Sequence, residues 1–409
     1  MPLLKSWVES ANSPTTDFPL NNLPYGVFSL PGIAPHCGVA IGDYVLDVVN
    51  IDHGLDPKYF NRPTWNDFMA AGPVVWSAFR ARLTELLTDK QYEESVRAHL
   101  VPRRDVQLLL PLDVTEYTDF YSSKQHATNV GTMFRGKENA LTPNWLWMPI
   151  GYNGRASSVC VSGTPVQRPW GQLKREGVDP VFSPCERFDI ELEVGAIVGQ
   201  PSSGMVSVEQ ADDMIFGYVL LNDWSARDIQ SWEYQPLGPF QSKATATTIS
   251  PWIVSKAALE PFRTRSKERD VPLLKHLQET RDMLYDIDLE VVLTPDAGEP
   301  TTLARTNYKE LYFSAPQQLC HHTSCGCSMR VGDLLGSGTI SGPQPDNFGS
   351  LLEMSWGGKH PIELNGGGTR SFLNDGDTVT LKGSAKGDGF TIGFGDCVGQ
   401  IIPARAAPV

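Results

Sequence analysis

The chain has 409 residues, of which 41% are hydrophobic and 20% are charged, as is ordinary for a globular protein with a sizeable core. Lysine and arginine number 34 against 47 aspartates and glutamates, so the formal net charge is −13. This acidic balance argues against nucleic acids and anionic membranes as partners, because both require a basic face. A small anionic substrate needs only a local clamp of arginine or lysine, so it stays compatible with the composition.

The N-terminal residues and the cysteines indicate the cellular compartment of the protein. Its first residues lack the apolar run of a signal peptide, and we expect no transmembrane span. The seven cysteines are odd in number and scattered, which favours reduced thiols in the cytoplasm. Cys325 and Cys327 are spaced like metal ligands, but no second pair stands at zinc spacing, so we do not expect a zinc site.

Turn residues and apolar alternation predict a mainly β protein with few helices. Residues 17–48 have the short strands and turns of a small β-domain. A helix should follow, with a capping box at residues 64–67. Its apolar stripe, which we assign to core packing, consists of Trp76, Phe79, Leu83 and Leu86.

A second, larger β-domain is predicted after the proline at residue 111. The chain then divides into residues 1–110 and residues 111–409. Short helices are predicted around residues 225–234, 273–284 and 309–322. The predicted strands of this domain are 158–166, 188–198, 215–222, 287–294 and 378–382.

One short segment, residues 119–135, concentrates reactive side chains. It holds a carboxylate, a tyrosine, a histidine and an arginine, namely Asp119, Tyr121, His126 and Arg135. A lone histidine is more often structural than catalytic, but His126 lies among polar residues rather than on an apolar face. Histidine is well suited to take a proton from water at neutral pH, so His126 is the candidate general base.

Carboxylates also alternate along the predicted strand that starts at residue 188. Asp189, Glu191 and Glu193 share one face, because successive strand residues point to opposite sides. From this strand alone, a solvated acidic edge and a metal site are equally good interpretations. Asp223 ends another buried strand directly before a helix, which is a common position for an active-site acid.

Together with Asp119, three of these acids would form an all-carboxylate site: Glu191, Glu193 and Asp223. Hard oxygen ligands select Mg²⁺ or Ca²⁺ over zinc or copper. Glu353, an acid within an apolar run, could orient His126, although an exposed strand residue has the same pattern.

Further polar residues could bind a substrate, although each taken singly is also typical of surface or packing positions. Lys243 could stabilise developing negative charge. A substrate carboxylate or ketone could be held by Tyr121, Arg135, Tyr152 and Tyr234.

Several longer strings resemble the fumarylacetoacetate hydrolase family. They occur in both predicted domains, so the resemblance covers nearly the whole chain, and they are more specific than the acidic ligands that the wider superfamily shares. The strings are residues 17–28, 117–123, 125–131, 133–141, 154–158, 222–230, 232–234, 236–240 and 337–342.

This resemblance implies a small N-terminal SH3-like barrel, a C-terminal mixed β-sandwich roll and a homodimer. It also implies Ca²⁺ and/or Mg²⁺ as cofactor, with Lys243 and Thr247 at or beside the metal and four ligands, Asp119, Glu191, Glu193 and Asp223. The implied reaction is hydrolysis of a carbon–carbon bond in 4-fumarylacetoacetate, a small dianionic β-diketone. Its products are fumarate and acetoacetate, in the last step of tyrosine and phenylalanine catabolism.

The resemblance also implies individual roles. His126 becomes the base and Glu353 its partner. Arg227, Gln230 and Lys243 fall on positions associated with stabilising an oxyanion. The substrate-contact positions are Tyr121, Arg135, Tyr152, Gln230, Tyr234 and Thr339.

Two local departures from the family pattern leave these residues in place. Residues 241–246 read Gln-Ser-Lys-Ala-Thr-Ala, where the animal enzymes have the glycine-bearing Leu-Gly-Lys-Ser-Phe-Gly, and Asn153 stands where histidine is usual. Two alternatives remain open at this point. One is an acylpyruvate hydrolase, or a 2-keto acid decarboxylase or hydratase, on the same scaffold. The other is a cation-binding structural or adhesion module, which would leave His126, Arg135 and Lys243 without a role.

Overall fold

A computed structural model describes residues 2–407 of the chain. Sheets dominate it, which confirms the prediction of a mainly β protein. Within the described residues, every helix is too short or too polar to cross a lipid bilayer. The α-helices described there are Asn66–Ala70, Pro73–Thr88, Glu93–Arg97, Lys124–Arg135, Val208–Met214, Arg227–Glu233, Lys256–Leu259, Ala315–Thr323 and Leu351–Met354.

The N-terminal part contains an antiparallel five-stranded sheet. Its apolar residues pack against the helix Pro73–Thr88, in which Phe79, Leu83 and Leu86 are buried as the stripe predicts. In spatial order, the strands are Leu100–Pro102, Tyr44–Asp47, His36–Ile41, Tyr25–Ser29 and Gln107–Leu109.

A mixed sheet forms the centre of the molecule. The strands Tyr117–Phe120 and Leu334–Gly336 pair in parallel, and most other neighbours are antiparallel. Val254–Ser255 adds a further pair to Ile215–Asp223. The main order is Gly151–Asn153, Tyr117–Phe120, Leu334–Gly336, Leu192–Val198, Ile215–Asp223, Thr247–Ile249 and Val159–Val161.

A second large sheet and four two-stranded ribbons complete the β-structure of the described chain. The sheet runs in the order Thr301–Asn307, Asp288–Thr294, Thr378–Lys386, Cys397–Ile402 and Val166–Gln167, with Thr391–Gly393 paired to Thr378–Lys386. The ribbons pair Trp170–Leu173 with Val181–Pro184, Phe188–Asp189 with Ser225–Ala226, Arg263–Thr264 with Leu284–Tyr285, and Ile362–Glu363 with Thr369–Arg370.

The middle of the central sheet is covered on both faces, which explains why the strands Leu192–Val198 and Ile215–Asp223 are buried throughout. In Leu192–Val198, Val194 and Ala196 join the large C-terminal core, whereas Ile197 joins the core shared with the N-terminal sheet. Glu193, on this strand, is therefore shielded from bulk water on both faces. The chain therefore needs another partner for each acid that it places there.

Two local predictions are wrong. The capping box at residues 64–67 does not form, because Trp65 precedes the helix and Asn66 instead exchanges hydrogen bonds with the backbone of Asp113. Residues 273–284 form only the short 3₁₀ turn Lys275–Leu277. There, Leu277 and Leu284 are both buried without a helix, because the chain turns to pair Leu284–Tyr285 with a neighbouring strand.

Candidate active site

Four buried carboxylates meet at one end of the central sheet. Asp119 lies on Tyr117–Phe120, Glu193 on Leu192–Val198 and Asp223 at the end of Ile215–Asp223. Glu191 directly precedes the second of these strands. One oxygen from each of the four acids lies within 4.8 Å of the others. The solvated acidic edge that the strand pattern left open is thus absent at Glu191 and Glu193, which are 4% and 0% exposed.

This crowding changes the ionisation of the four acids. Burial, followed by the charge of Asp223, raises the pKa of Asp119 well above its usual range. Burial and Asp119 likewise raise the pKa of Glu193. For Glu191, burial opposes ionisation, but the nearby cations Lys243 and Arg227 outweigh it and bring the pKa to about 2. One acid is therefore held as an anion by cations, while its neighbours lack enough positive charge.

The two cationic side chains of the site, Lys243 and Arg227, both contact Glu191. Lys243 Nζ contacts Glu191 Oε2 and lies 2.7 Å from Asp223 Oδ2. Arg227 Nη2 lies 2.7 Å from Glu191 Oε1. Thr247 Oγ1 also donates to Asp223 Oδ1 at 3.2 Å.

The remaining acids have oxygens that fit a cation. Oδ1 of Asp119 and Oε1 of Glu193 are buried and have no hydrogen-bond partner among residues 2–407. A buried carboxylate oxygen without a partner is costly, and a coordinated cation removes that cost. Because every donor is a carboxylate oxygen, the cluster could hold a metal ion, and its chemistry suits a hard divalent cation.

A glycine completes the wall behind Glu193. The Gly338 N–H donates to Glu193 Oε2 at 2.9 Å. Gly338 has a φ of +77°, and a Cβ there would lie 2.3 Å from the carbonyl oxygen of Phe120. A larger residue would therefore push the backbone away from Glu193.

A histidine–glutamate pair stands beside the carboxylates. Ser123 caps the helix Lys124–Arg135, and its Oγ accepts from the His126 N–H at 3.3 Å, which fixes His126 in the first helical turn. His126 Nδ1 lies 2.6 Å from Oε2 of Glu353, and both side chains are buried. The sequence-based alternative of an exposed strand residue is thus wrong for Glu353, which is 1% exposed and helical.

Glu353 is held as an anion by further donors. Ser341 Oγ and Ser350 Oγ donate to its Oε2 at 2.9 and 2.8 Å, and Asn129 Nδ2 donates to Oε1 at 2.8 Å. Burial alone would raise the pKa of Glu353, but His126 and these hydrogen bonds lower it below its usual value. An ionised Glu353 accepts the Nδ1 proton of His126 and leaves Nε2 as the basic nitrogen.

A cavity of about 380 Å³ opens over both groups. Four of the predicted site residues lie behind its wall, namely Glu353, Glu193, Asp223 and Thr247. The predicted residues that line it are Asp119, Tyr121, His126, Arg135, Tyr152, Glu191, Arg227, Gln230, Tyr234, Lys243 and Thr339.

Some of the lining side chains already have protein partners. The Arg135 guanidinium donates to the carbonyls of Asn139 and Ala140 at 3.1 and 2.6 Å, which leaves Nη1 for a further acceptor. Gly131 permits this contact, because a Cβ there would lie 1.8 Å from the Ala140 oxygen. Tyr152 OH donates to Asp223 Oδ2 at 3.3 Å, so this tyrosine bridges the cavity and the acid cluster.

The sequence pattern missed two parts of the site. The predicted strand 188–198 is interrupted at residues 190–191, so Asp189 lies on the separate strand Phe188–Asp189. It is outside the four-acid cluster and accepts from Arg227 Nε at 2.8 Å. The other missed part is the apolar lining, most of which lies within the family-like strings. Its members are Phe120, Val130, Phe134, Ile150, Leu237 and Pro239.

A histidine–glutamate pair that faces buried carboxylates across one cavity is the arrangement of an enzyme active site. Comparison with known families agrees. Residues 115–402 match the fumarylacetoacetate (FAA) hydrolase C-terminal profile, and residues 21–111 match the fumarylacetoacetase N-terminal profile.

Full-length relatives give the same result. The chain is 48% identical to the fumarylacetoacetase of Dictyostelium discoideum, covering 99% of both chains. It is 48% identical to that of Homo sapiens over 95% of this chain and 97% of the relative. It is 46% identical to the fumarylacetoacetase of Arabidopsis thaliana over 99% of this chain and 100% of the relative. The chain belongs to the fumarylacetoacetase family.

Solved structures share the fold at lower identity. A fumarylacetoacetate hydrolase from Exiguobacterium antarcticum has a TM-score of 0.55 and 17% identity, covering 94% of this chain and all of the other. The structure of Cg1458 with an inhibitor also has a TM-score of 0.55 and is 14% identical in sequence. The match covers 93% of this chain and all of the other. These likenesses concern the fold alone.

Proposed function

We propose that this chain hydrolyses 4-fumarylacetoacetate to fumarate and acetoacetate, the final step of tyrosine and phenylalanine catabolism. The observation that carries the proposal is the shared cavity. His126, backed by Glu353, lines the same space as Asp119 and Glu191 of the carboxylate cluster. The full-length likeness to fumarylacetoacetases from an amoeba, an animal and a plant supports this substrate.

His126 serves as the general base. Glu353 fixes the proton on Nδ1, so Nε2 takes a proton from water within the cavity. The resulting hydroxide attacks the ketone carbon on the fumaryl side and gives a tetrahedral oxyanion. When that oxyanion collapses, the carbon–carbon bond breaks and its electrons pass to acetoacetate as an enolate, which takes up the proton that Nε2 of His126 removed from water.

Three cavity residues stabilise the negative charge that develops. Arg227 and Lys243 bring fixed positive charge, and Gln230 adds an amide beside them. Arg227 Nη1 donates to Gln230 Oε1 at 3.1 Å, which turns the Gln230 amide nitrogen toward other acceptors. Because these groups are already held in place, little reorganisation is needed as the oxyanion forms.

The cofactor is Ca²⁺ and/or Mg²⁺, with Asp119, Glu191, Glu193 and Asp223 as ligands and Lys243 and Thr247 beside them. When bound, the cation would supply Lewis-acid activation and a template for the diketone oxygens. The orphan oxygens of Asp119 and Glu193 support this assignment.

The substrate is a small dianion. Arg135 can pair with one of its carboxylates through Nη1, and the phenols of Tyr121, Tyr152 and Tyr234 supply donors, with Thr339 nearby. The apolar wall would accommodate the carbon chain between the two charged ends. This arrangement explains how an acidic protein could bind a dianion.

We further propose a cytoplasmic homodimer with domains at residues 1–110 and 111–409. The two family profiles, which divide between residues 111 and 115, support the domain boundary. All seven cysteines are free thiols, which supports a reducing compartment.

Product analysis tests the proposal. Purified protein with a divalent cation should convert fumarylacetoacetate to equal amounts of fumarate and acetoacetate, as followed by proton NMR. A panel of acylpyruvates and 2-keto acids serves as the comparison. Turnover of a panel member without cleavage of fumarylacetoacetate would replace this proposal with the related activity.

A further inference from the structure

The turn that carries Lys243 is attached to the helix Arg227–Glu233 by one carboxylate. Glu233 Oε1 accepts from the Phe240 N–H at 2.7 Å, from the Ser242 N–H at 2.9 Å and from Ser242 Oγ at 2.6 Å. Its Oε2 accepts from the Gln241 N–H at 3.1 Å. Three consecutive backbone donors and one hydroxyl thus converge on a single side chain.

The contacts between Glu233 and residues 240–242, called the Glu233 anchor below, lie between two parts of the candidate active site. Arg227 and Gln230 lie earlier on the helix that ends at Glu233, and Lys243 ends the 3₁₀ turn Gln241–Lys243. The loop between the helix and this turn is fixed where its residues 240–242 bind Glu233. Leu237, in the middle of the loop, is 95% exposed. Leu237 and Pro239 of this loop also line the cavity.

Glu233 is an ionisable group for which the proposed mechanism has no use. We propose that Glu233 is a positioning residue, which, together with Ser242, fixes the backbone that presents Lys243 to the cavity. Building on the proposed function, this role concerns the geometry of Lys243, whose Nζ must sit between Glu191, Asp223 and the developing oxyanion.

Ser242 distinguishes this anchor from the corresponding loop of the animal enzymes. The animal enzymes have glycine in the corresponding place of this loop, and glycine has no hydroxyl to donate. Here the Ser242 side chain is fully buried, and its hydroxyl makes the shortest of the four contacts with Glu233. The substitution therefore adds a charge-assisted hydrogen bond at a turn where backbone freedom would let Lys243 move.

The test combines substitutions with two measurements. Glu233→Gln keeps the shape of the side chain, but its amide nitrogen cannot accept a hydrogen bond from the backbone donors. Ser242→Ala removes only the hydroxyl donor to Glu233. Asp89→Asn is the matched control, because Asp89 also caps a 3₁₀ turn, Lys90–Tyr92, by accepting from the Gln91 N–H at 2.9 Å. Amide hydrogen exchange of a peptide covering residues 234–243 reports the anchor without any need for activity. Steady-state kinetics with fumarylacetoacetate report the position of Lys243.

We expect Glu233→Gln to speed exchange in that peptide at least tenfold and to lower kcat by about tenfold, since small misplacements of a catalytic group are costly. Ser242→Ala should lower kcat about threefold, with KM changed less than twofold in both variants. Asp89→Asn should leave both measurements unchanged.

Unchanged exchange in Glu233→Gln would overturn the anchor, and faster exchange with normal kcat would overturn the positioning role. If the unsubstituted protein did not cleave fumarylacetoacetate, the proposed function would fall instead. The exchange rates would then still decide whether Glu233 holds the turn.

Discussion

His126 and Glu353 lie 227 positions apart in the chain, yet His126 Nδ1 is 2.6 Å from Oε2 of Glu353. The contact joins the first turn of the helix Lys124–Arg135 to the short helix Leu351–Met354. The orientation of the His126 ring therefore depends on a helix that lies far along the chain. Each step of the proposed hydrolysis that moves a proton passes through this pair.

Replacing the base should stop catalysis without unfolding the protein. His126→Ala should lower kcat by about a thousandfold, since a positioned general base contributes roughly 10²–10⁴ in rate. Substrate turnover and a thermal melt measured on the same sample check both points. His360→Ala, at an exposed histidine, is the control. A His126→Ala protein within twofold of normal activity would remove His126 as the base.

Acid should weaken the contribution of Glu353 to stability. Its pKa in the folded protein lies below the usual 4.5, so the stabilisation is fully present above about pH 4.5 and is lost as the pH falls through the lowered value. We expect the difference in free energy of unfolding between the unsubstituted protein and Glu353→Gln to shrink as the pH falls below about 4.5. Urea unfolding at a series of pH values measures it. A difference that grows in acid would contradict this prediction.

A divalent cation should stabilise the protein more at higher pH. Without a cation, burial and neighbouring charge keep the pKa values of Asp119 and Glu193 raised, so ionising these acids costs folding free energy as the pH rises. Binding requires the ionised carboxylates, so affinity should increase with pH. Thermal melts with EDTA, Mg²⁺ or Ca²⁺ should show a rise in Tm that is larger at pH 8 than at pH 6. Glu193→Gln should lose most of that rise, and identical melts with EDTA and either cation would contradict the metal assignment.

Asp189 should contribute to the stability of the fold through its buried hydrogen bonds. It accepts from Arg227 Nε at 2.8 Å and from the backbone N–H groups of Leu351 and Leu352 at 2.8 and 3.0 Å. Asp189→Asn removes the buried negative charge opposite Arg227 and should cost about 3 kcal/mol of unfolding free energy.

Urea unfolding gives this cost directly. Asp375→Asn is the matched control, because its Arg168 Nε–Asp375 Oδ1 contact of 2.6 Å involves an aspartate that is 41% exposed, where a pair contributes only about 0–1 kcal/mol. Equal losses in the two variants would show that the burial of Asp189 has no special effect.

Short-range patterns predicted the β-rich fold and several of its strands. Residues 215–222, for example, closely match Ile215–Asp223. The same patterns failed where contacts from distant segments decide the structure. Residues 273–284 have helical spacing, but the pairing of Leu284–Tyr285 with Arg263–Thr264 ends any helix there.

The site shows the same limit. Alternation placed Asp189 on one face with Glu191 and Glu193, yet it could not show that a helix N-terminus and Arg227 would bind Asp189 instead. Nor could it show that both faces of the strand are covered, since the covering residues come from other parts of the chain. The family-like string at residues 337–342 supplied what periodicity lacked for Thr339, which lines the cavity.

The most direct test of the central claim follows the ultraviolet absorbance of fumarylacetoacetate with purified protein. The diketone band should persist after EDTA treatment and should disappear when Mg²⁺ or Ca²⁺ is restored, with fumarate and acetoacetate as products. A band that persists under every ion, with correctly folded protein, would contradict the proposed hydrolysis.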